Sequence, residues 1–153
     1  RVRSGLWGSA TRSLQVVDLH CAGEPARVVL GGLPHVRGAS AFEMRTDMME
    51  RLDHCRRLLI EEPRGYPCQN VNFVLPSTRE DAAYAVVVGE QGKIYPLMSG
   101  HNTICTATAL LELGLVPTHG TEVEFALEMP GGLVTVAASV EQGRATRVAL
   151  RNV

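Results

Sequence analysis

One segment of this chain, residues 101–114, carries a single charged side chain, Glu112, in the string HNTICTATALLELG. Its other residues are apolar, small or uncharged around the whole helix that their spacing favours. Gly114 is a typical residue at which a helix stops. A helix that is apolar on every side is stable when protein surrounds it. The sequence therefore predicts that the rest of the chain folds around this helix.

Most of the remaining chain has the alternating pattern of β-strands. The alternation across residues 16–30 predicts two short strands joined by a turn at the central CAGEP, closed by Gly31 and Gly32. Further strands are predicted at residues 70–75, 82–88, 94–97, 122–128 and 133–140, with a last one starting near Thr146. Turn strings at residues 90–93 (EQGK) and 129–132 (MPGG) separate pairs of these strands.

A second helix is predicted outside the strands. From Ser40, a favourable N-cap, to about Ile60, apolar residues recur at intervals of three and four among Arg, Asp and Glu, which indicates an amphipathic helix. Its paired methionines, Met48 and Met49, are interpreted as core packing. The predicted fold class is α+β, with a mixed β-sheet or barrel wrapped around a central buried helix and the second helix outside.

Length and charge narrow the classes of function. The 153 residues suffice for one well-packed domain, assigned to residues 15–153, whereas the basic residues 1–14 are interpreted as a disordered leader. The formal net charge is −1 and the charges are scattered, which favours no nucleic-acid or membrane partner. No apolar stretch approaches the roughly 20 residues that span a bilayer. Four cysteines without a CxxC pair favour reduced thiols and a cytoplasmic location.

The start of the buried helix, residues 98–105 (MSGHNTIC), is the most informative stretch. Ser99 occupies the predicted N-cap, Gly100 allows close approach, and the first backbone N–H groups of the helix point outward without helical partners. In a partly dehydrated pocket, such a terminus is well suited to bind a carboxylate. The residues alone leave two interpretations open: a carboxylate site, or a serine that only caps a core helix.

Four strings of the chain, taken in order, resemble the motifs of one enzyme family. They are DLHCAGEPAR at residues 18–27, EPRG at 62–65, MSGHNTI at 98–104 and PGGLV at 130–134. The first is similar to D-x-H-T/C-x-G-E-P-x-R, the third to an MCGH-type motif, and the fourth to P-x-G-L-V. Order and spacing agree from about residue 15 to residue 153, so the chain is similar to the proline racemase family.

This resemblance implies a diaminopimelate epimerase-like fold, in which two similar domains each wrap a sheet around a helix and hold the substrate between them. Members of the family are roughly twice as long and carry a second motif, D-R-S-P-C/T-G-x-G, which this chain lacks. The resemblance thus implies the N-terminal half of an active site without a cofactor, completed by a C-terminal domain or by a homodimer partner. The alternative is a non-catalytic half that only binds a small carboxylate or a partner.

Ser99 bears on which reaction of the family applies. In racemases that the chain resembles, this position is a cysteine that acts as one of two acid/base groups. A serine hydroxyl is a far weaker acid than a thiol, which argues against symmetric racemisation. Members with serine here resemble trans-3-hydroxy-L-proline dehydratases, which form pyrroline-2-carboxylate, and this is the predicted function. The alternatives are 4-hydroxyproline 2-epimerase and proline racemase, so the expected partner is a small molecule, hydroxyproline or proline.

The predicted site consists of Ser99 as the catalytic group and Gly100, His101 and Asn102 as substrate-binding groups. A plain capping role for His101 stays open. No metal site is predicted, because His101 and Cys105 share a helix face but lack a third ligand, and Cys105 is interpreted as a small buried residue. Glu24 and Arg27 are expected to form structural polar contacts near the opening turn.

Overall fold

The computed structural model describes residues 12–151, so residues 1–11 of the predicted leader lie outside the described part. In chain order the elements are β1 (Gln15–Cys21), β2 (Glu24–Gly31), α1 (Ala41–Glu50), α2 (Asp53–Ile60), β3 (Asn70–Leu75), β4 (Tyr84–Gly89), a 3-10 turn (Gln91–Lys93), α3 (Gly100–Glu112), β5 (Glu122–Met129), β6 (Gly132–Glu141) and β7 (Arg144–Arg151). None of the helices between residues 12 and 151 has the length and apolar character needed to cross a membrane.

The strands form a single mixed sheet in sequence order from β1 to β7. Neighbouring strands are antiparallel except for β2–β3 and β4–β5, which are parallel. A parallel neighbour can be reached only by a long crossover and not by a tight turn. The two parallel pairs are accordingly those whose connections contain helices: α1 and α2 in the first, and α3 in the second.

The sheet curls around α3. This helix contacts the two edge strands, β1 and β7, as well as β2 and β3. Residues of β4, β5 and β6 share one hydrophobic core with it. The helices α1 and α2 instead contact β3, β4 and β5 and belong to a second, outer core. The predicted α+β fold, a mixed sheet wrapped around a central buried helix with helical structure outside, is therefore confirmed.

Strand β4 shows how one sheet serves two cores. Val86 and Val88 belong to the inner core around α3, whereas Ala85 and Val87 belong to the outer core beneath α1 and α2. Successive side chains of a strand point to opposite faces of the sheet. A strand covered on both faces therefore reads as a continuous apolar run, and these four residues are all fully buried.

The helix α3 contains polar side chains that are satisfied within the helix itself. The hydroxyls of Thr103, Thr106 and Thr108 donate to the carbonyl oxygens four residues earlier, at 2.7, 2.8 and 2.9 Å. Because these hydroxyls need no partner on the strands, apolar residues such as Leu110 pack directly against the sheet. The helix stops as predicted near Gly114, which has a φ of 68°.

The outer helical region differs from the prediction, because it is two helices rather than one. The break lies at Leu52, which has φ −116° and ψ 12° but remains buried. The apolar spacing of Met48, Leu52 and Cys55 continues in phase across the break, so periodicity contains no sign of it. The predicted N-cap is confirmed, since Ser40 Oγ accepts the N–H of Glu43 at 3.2 Å.

The strand predicted at residues 94–97 is wrong. Ile94 forms only an isolated bridge with Glu90, after a turn in which Gly92 has a φ of 68°. Pro96 has no N–H group to donate to a strand ladder, which explains why the run does not continue as a strand. The other predicted strands are present, with ends displaced by at most two residues.

Glu128 connects the outer helices to the sheet. Its side chain is 4% exposed, and its carboxylate accepts hydrogen bonds from the N–H groups of Ala41 and Thr78 and from the hydroxyls of Ser77 and Thr78, each at 2.8 Å. The Ala41 N–H belongs to the first turn of α1, where the helix provides no partner. Burial works against the charged form, but these hydrogen bonds outweigh it and lower the pKa of Glu128.

Truncation of Leu110, which is fully buried in the inner core, tests the importance of α3. We expect Leu110→Ala to lower the free energy of unfolding by about 2–5 kcal/mol, because it removes apolar contacts and leaves a cavity. Leu113→Ala, at a position 51% exposed at the end of the same helix, should cost less than about 0.5 kcal/mol. Urea unfolding of the full-length protein, followed by circular dichroism, measures both, and equal losses would contradict a core centred on α3.

The carboxylate of Glu128 should make stability depend on pH. A lowered pKa in the folded state means that the unfolded chain binds the proton more readily. The stabilisation is therefore fully present above the unfolded pKa of about 4.3 and is lost as the pH falls through the lower folded value. Glu128→Gln should cost about 1–3 kcal/mol at neutral pH and should flatten the acid-side loss of stability.

Urea unfolding at a series of pH values checks this expectation. The matched control is Glu124→Gln, which alters an exposed glutamate on the same strand. If Glu128→Gln and Glu124→Gln had the same acid-side slope, the hydrogen-bonded carboxylate would not be the source of the pH dependence.

Candidate functional site

The helix α3 starts with Ser99 in the N-cap position, where the backbone is extended (φ −144°, ψ 121°). The Ser99 carbonyl oxygen accepts the N–H of Thr103 at 3.0 Å and the Thr103 hydroxyl at 2.7 Å. The Ser99 hydroxyl makes no capping hydrogen bond to a backbone N–H. Ser99 therefore occupies the predicted N-cap position through its backbone, while its hydroxyl does not cap the helix and contacts other side chains.

The first N–H groups of α3 lack protein partners. Those of Gly100, His101 and Asn102 have no acceptor within residues 12–151, and Gly100 and His101 are the accessible ones of the three. A Cβ added at Gly100 would meet no atom within 4 Å, so the space next to this turn is clear. Because unpaired N–H groups at a helix N-terminus carry partial positive charge, the site favours an anion such as a carboxylate.

The Ser99 hydroxyl lies between two side chains of the first helical turn. Asn102 Nδ2 donates to Ser99 Oγ at 3.0 Å. His101 Nδ1 lies 3.5 Å from the same oxygen, at the long end of the hydrogen-bonding range. Asn102 is fully buried and His101 is half-buried. The structure thus brings together all four residues that the sequence predicted for the site, including Gly100.

Two asparagines of β3 that the sequence-based prediction missed complete this cluster. Asn70 and Asn72 are both buried on the face of β3 that points towards α3. Asn70 Nδ2 lies 3.2 Å from His101 Nε2, and Asn72 Nδ2 donates to the Asn102 carbonyl oxygen at 3.4 Å. The available signal was the string NVNFVL, in which two amides alternate within an apolar strand and therefore share one face.

Two amide oxygens in this cluster have spare acceptor capacity. Asn72 Oδ1 and Asn102 Oδ1 are buried and accept no hydrogen bond within the described part of the chain. Buried polar atoms in folded proteins are nearly always paired. An exception of this kind, in a core that is otherwise apolar, is typical of a functional region rather than of a packing interface.

His101 and Asn70 open into a cleft of about 300 Å³. The residues that line it are Glu24, Pro67, Cys68, Asn70, Glu90, Gln91, Ile94 and His101. Its two carboxylates can accept hydrogen bonds from an ammonium group, while the adjacent helix terminus offers donors to a carboxylate. A larger cavity of about 670 Å³, between β1 and α2, contains none of the predicted site residues.

The matched string PGGLV holds the approach to the site. The N–H of Gly131 donates to the carbonyl oxygen of Leu97 at 2.9 Å, two residues before Ser99. A Cβ at Gly131 would lie 3.3 Å from that same oxygen, a tight contact that glycine avoids. This turn therefore positions the segment that leads into α3.

The first two matched strings are joined through Arg27. Its guanidinium bonds both carboxylate oxygens of Asp18, at 2.7 and 2.9 Å, and donates to the carbonyl oxygens of Leu59 and Arg64, each at 2.7 Å. The structural role expected for Arg27 is confirmed, whereas Glu24 lines the cleft.

Gly65, the last residue of EPRG, touches the end of α2. A Cβ at this position would lie 2.2 Å from the carbonyl carbon of Ile60, so no larger residue fits without movement of the backbone. Together with the contacts of Arg27, this close approach fixes the EPRG segment against α2 and β2.

Cys105 lies one turn beyond His101 on α3 and is buried. Burial, with a smaller contribution from Cys21, raises its pKa to about 11. Such a thiol is protonated at neutral pH and is poorly suited to acid/base chemistry. Within residues 12–151, no three His, Cys, Asp or Glu side chains are grouped so that they could hold a metal ion.

Comparison with known families matches residues 16–153 to the family described as proline racemase. The 4-hydroxyproline 2-epimerase of Streptosporangium roseum is 39% identical over 142 residues, which are 93% of this chain and 42% of the relative. The proline racemase of Clostridioides difficile is 34% identical over 143 residues, 94% of this chain and 42% of the relative. The chain spans about two fifths of the length of these curated relatives.

Solved structures show the same similarity. A hydroxyproline epimerase from Agrobacterium vitis with bound trans-4-OH-L-proline has a TM-score of 0.83 and 33% identity, over 90% of this chain and 40% of that structure. A probable proline racemase from Agrobacterium radiobacter with bound carbonate has a TM-score of 0.84 and 37% identity, over 90% and 41%. A phenazine biosynthesis protein from Bacillus anthracis, at 20% identity and a TM-score of 0.52, shares only the fold.

The raised pKa and the burial of Cys105 predict an unreactive thiol. We expect iodoacetamide at about pH 8 to leave Cys105 unmodified in the native full-length protein, because little thiolate forms and the sulfur is covered. After unfolding in urea, the same residue should react fully. Peptide mass spectrometry measures both states, and rapid modification of native Cys105 would contradict its assignment as a core residue.

Proposed function

The chain belongs to the proline racemase family, and from this membership we propose that it supplies one face of an active site at which a proline-type amino acid loses its α-proton. The specific reaction proposed is dehydration of trans-3-hydroxy-L-proline to pyrroline-2-carboxylate. The observation that carries this choice is the environment of Ser99, whose oxygen accepts a hydrogen bond from Asn102 Nδ2 at 3.0 Å and lies 3.5 Å from His101 Nδ1, which donates when it carries the imidazole proton.

The substrate carboxylate is proposed to bind at the start of α3. The unpaired N–H groups of Gly100 and His101 are suited to an anion, and the clear space at Gly100 lets a ligand approach them. Glu24 and Glu90 in the same cleft offer acceptors for the ring ammonium of a proline-type substrate. The donors at the start of α3 therefore match the negative carboxylate of an amino acid, and the two glutamates match its positive ammonium group.

Ser99 is proposed to act as a proton donor. A hydroxyl oxygen has two lone pairs and one proton. When His101 carries its proton on Nδ1, both lone pairs face donors, and the hydroxyl proton points away from the two side chains. In this arrangement no described residue of the cluster accepts the proton, so the hydroxyl lacks the activation that a serine needs to act as a base.

A dehydration uses a donor on this face. A base supplied by a further part of the protein removes the α-proton, and the electron pair of that C–H bond forms a double bond between C2 and C3. Because the α-hydrogen and the 3-hydroxyl of trans-3-hydroxy-L-proline lie on the same face of the ring, this base must reach the face to which Ser99 donates. The C3–O bond breaks, and the hydroxyl leaves as water with the proton that Ser99 donates. The enamine then tautomerises to pyrroline-2-carboxylate, while Ser99 regains a proton from solvent and the base releases one. One water is lost, and no electron is exchanged with a cofactor.

A second candidate is 4-hydroxyproline 2-epimerisation, which is favoured by the curated relatives that bear this name. It requires a proton to be removed from one face of C2 and returned to the other. Ser99 as a donor suits the return step, but the reverse direction requires the same residue to act as a base. The environment of Ser99 therefore favours dehydration over a reversible epimerisation.

Both reactions need a second acid/base group besides Ser99, and for epimerisation this group must act on the opposite face of the substrate. We infer that further polypeptide supplies it, either a second domain of a longer chain or a second copy, in keeping with the greater length of the relatives. Ile94 and Leu97, near the start of α3, are 56% and 48% exposed and form apolar surface that such a partner would cover.

Removal of the Ser99 hydroxyl tests its role. In the full-length protein we expect Ser99→Ala to lower kcat for dehydration by about 10²–10⁴-fold, the usual contribution of a positioned acid or base. Thr108→Ala removes a hydroxyl two turns further along the same helix and should leave kcat within about twofold, because that hydroxyl only bonds Ile104 within the helix. A loss of kcat in both variants would indicate damage to α3 rather than to the chemistry.

Two substrates, each incubated in D₂O, separate the candidates. A dehydratase should convert trans-3-hydroxy-L-proline to pyrroline-2-carboxylate, visible by NMR, and should leave trans-4-hydroxy-L-proline unchanged. An epimerase should give the opposite result, with deuterium at C2 of the inverted product. Turnover of neither substrate by the full-length protein would contradict both assignments and favour a binding protein.

A further inference from the structure

Asn70 stands out as a residue that acts on the site through its neighbour. We propose that Asn70 is a positioning residue, which holds His101 in the tautomer that carries its proton on Nδ1 and so keeps Ser99 a proton donor towards a bound substrate. The effect on Ser99 rests on the proposed function, whereas the tautomer of His101 is a property of the protein without substrate.

The tautomer follows from the contact between the two side chains. Asn70 Nδ2 lies 3.2 Å from His101 Nε2, and an amide NH₂ group can only donate. With the amide in this orientation, Nε2 presents its lone pair, and a neutral imidazole then carries its proton on Nδ1. This proton faces Ser99 Oγ, which lies 3.5 Å from Nδ1.

The position of Asn70 is fixed by the strand in which it lies, which suits a residue that orients His101. Its side chain is 8% exposed, and it sits within a strand that pairs with β2 through the register Asn70 to Ala26. Its carbonyl oxygen accepts a hydrogen bond from Gln69 Nε2 at 3.0 Å. A donor on a rigid strand loses little conformational entropy when it contacts His101, so it can bias the imidazole effectively.

The opposite tautomer would change the role of Ser99. With the proton on Nε2, the Nδ1 lone pair would accept the Ser99 hydroxyl proton and turn it away from the cleft. That arrangement resembles the serine–histidine pairing of hydrolases, in which a carboxylate on the second nitrogen selects a basic imidazole next to the serine. An amide at position 70 selects the reverse, and a carboxylate there should restore it.

A test of Asn70→Asp has to distinguish the effect of added negative charge in the cleft from the effect of the altered contact with His101. Glu24 and Glu90 line the same cleft as His101 and contribute negative charge of their own, and the thiol of Cys68 also faces it. Gln91 lines the cleft too, and its amide bonds the carbonyl oxygens of Ile60 and Tyr66 rather than His101. Gln91→Glu adds the same charge as Asn70→Asp at a residue that does not contact His101, and it also removes the two hydrogen bonds that the Gln91 amide donates.

Nitrogen NMR of histidine-labelled full-length protein reads the tautomer directly. The His101 signals are identified by their absence in His101→Gln. We expect the wild type to carry the His101 proton on Nδ1, Asn70→Asp to carry one on Nε2, and Gln91→Glu to match the wild type. A wild-type proton on Nε2, or an Asn70→Asp spectrum that matches that of Gln91→Glu, would overturn the assignment, and the first of these needs no substitution at position 70.

Kinetics test the consequence for Ser99. Asn70→Ala should lower kcat by about tenfold with little change in KM, since one neutral hydrogen bond is lost from the positioning of a group and not from substrate binding. An unchanged kcat together with an altered tautomer would overturn the positioning role. If the wild type shows the expected tautomer but turns over neither hydroxyproline, the proposed function fails while the contact between Asn70 and His101 stands.

Discussion

The burial of α3 inside a single curled sheet is the interaction on which the remaining structure depends. Strands from one edge of the sheet to the other contact this helix. The crossover from β4 to β5 contains α3, whereas the crossover from β2 to β3 contains α1 and α2, which cover the outer face of the sheet. The same burial gives the helix N-terminus its chemistry. Backbone N–H groups act on an anion more strongly where water is partly excluded than where it is not.

The residues that make the family recognisable mostly support the site rather than enter it. Arg27 ties β2 to Asp18 and to the backbone at Leu59 and Arg64, and Gly131 holds the segment before Ser99. These contacts are geometric requirements of one backbone arrangement, so they leave the reaction open. In the proposed function, the choice between related reactions depends on a few side chains in the first turn of α3 and on the two asparagines of β3 behind them.

Sequence periodicity predicted those features of the fold that depend on the residues of a single helix or strand. The uncharged helix, the strands of the sheet and the site residues 99–102 follow from local patterns, and Ser40 follows from helix capping. The break at Leu52 was missed because the apolar spacing stays in phase across it. Asn70 and Asn72 were missed because their importance arises from pairing with His101 and Asn102, about thirty residues further along the chain.

The threonines of α3 have a consequence for how such a chain can change over time. Their hydroxyls donate to carbonyl oxygens of the helix itself, so the body of α3 needs no hydrogen-bond partner on the surrounding strands. Those strands need only provide apolar side chains that fill the space around the helix. Residues facing it can exchange for one another as long as the interior stays filled. The first turn is different, since His101 and the carbonyl oxygen of Asn102 contact the side-chain amides of Asn70 and Asn72 on β3. The body of α3 thus tolerates exchange among the apolar residues around it, whereas its first turn depends on specific contacts. Substitutions in the first turn can therefore change the site without changing the sheet that surrounds the helix.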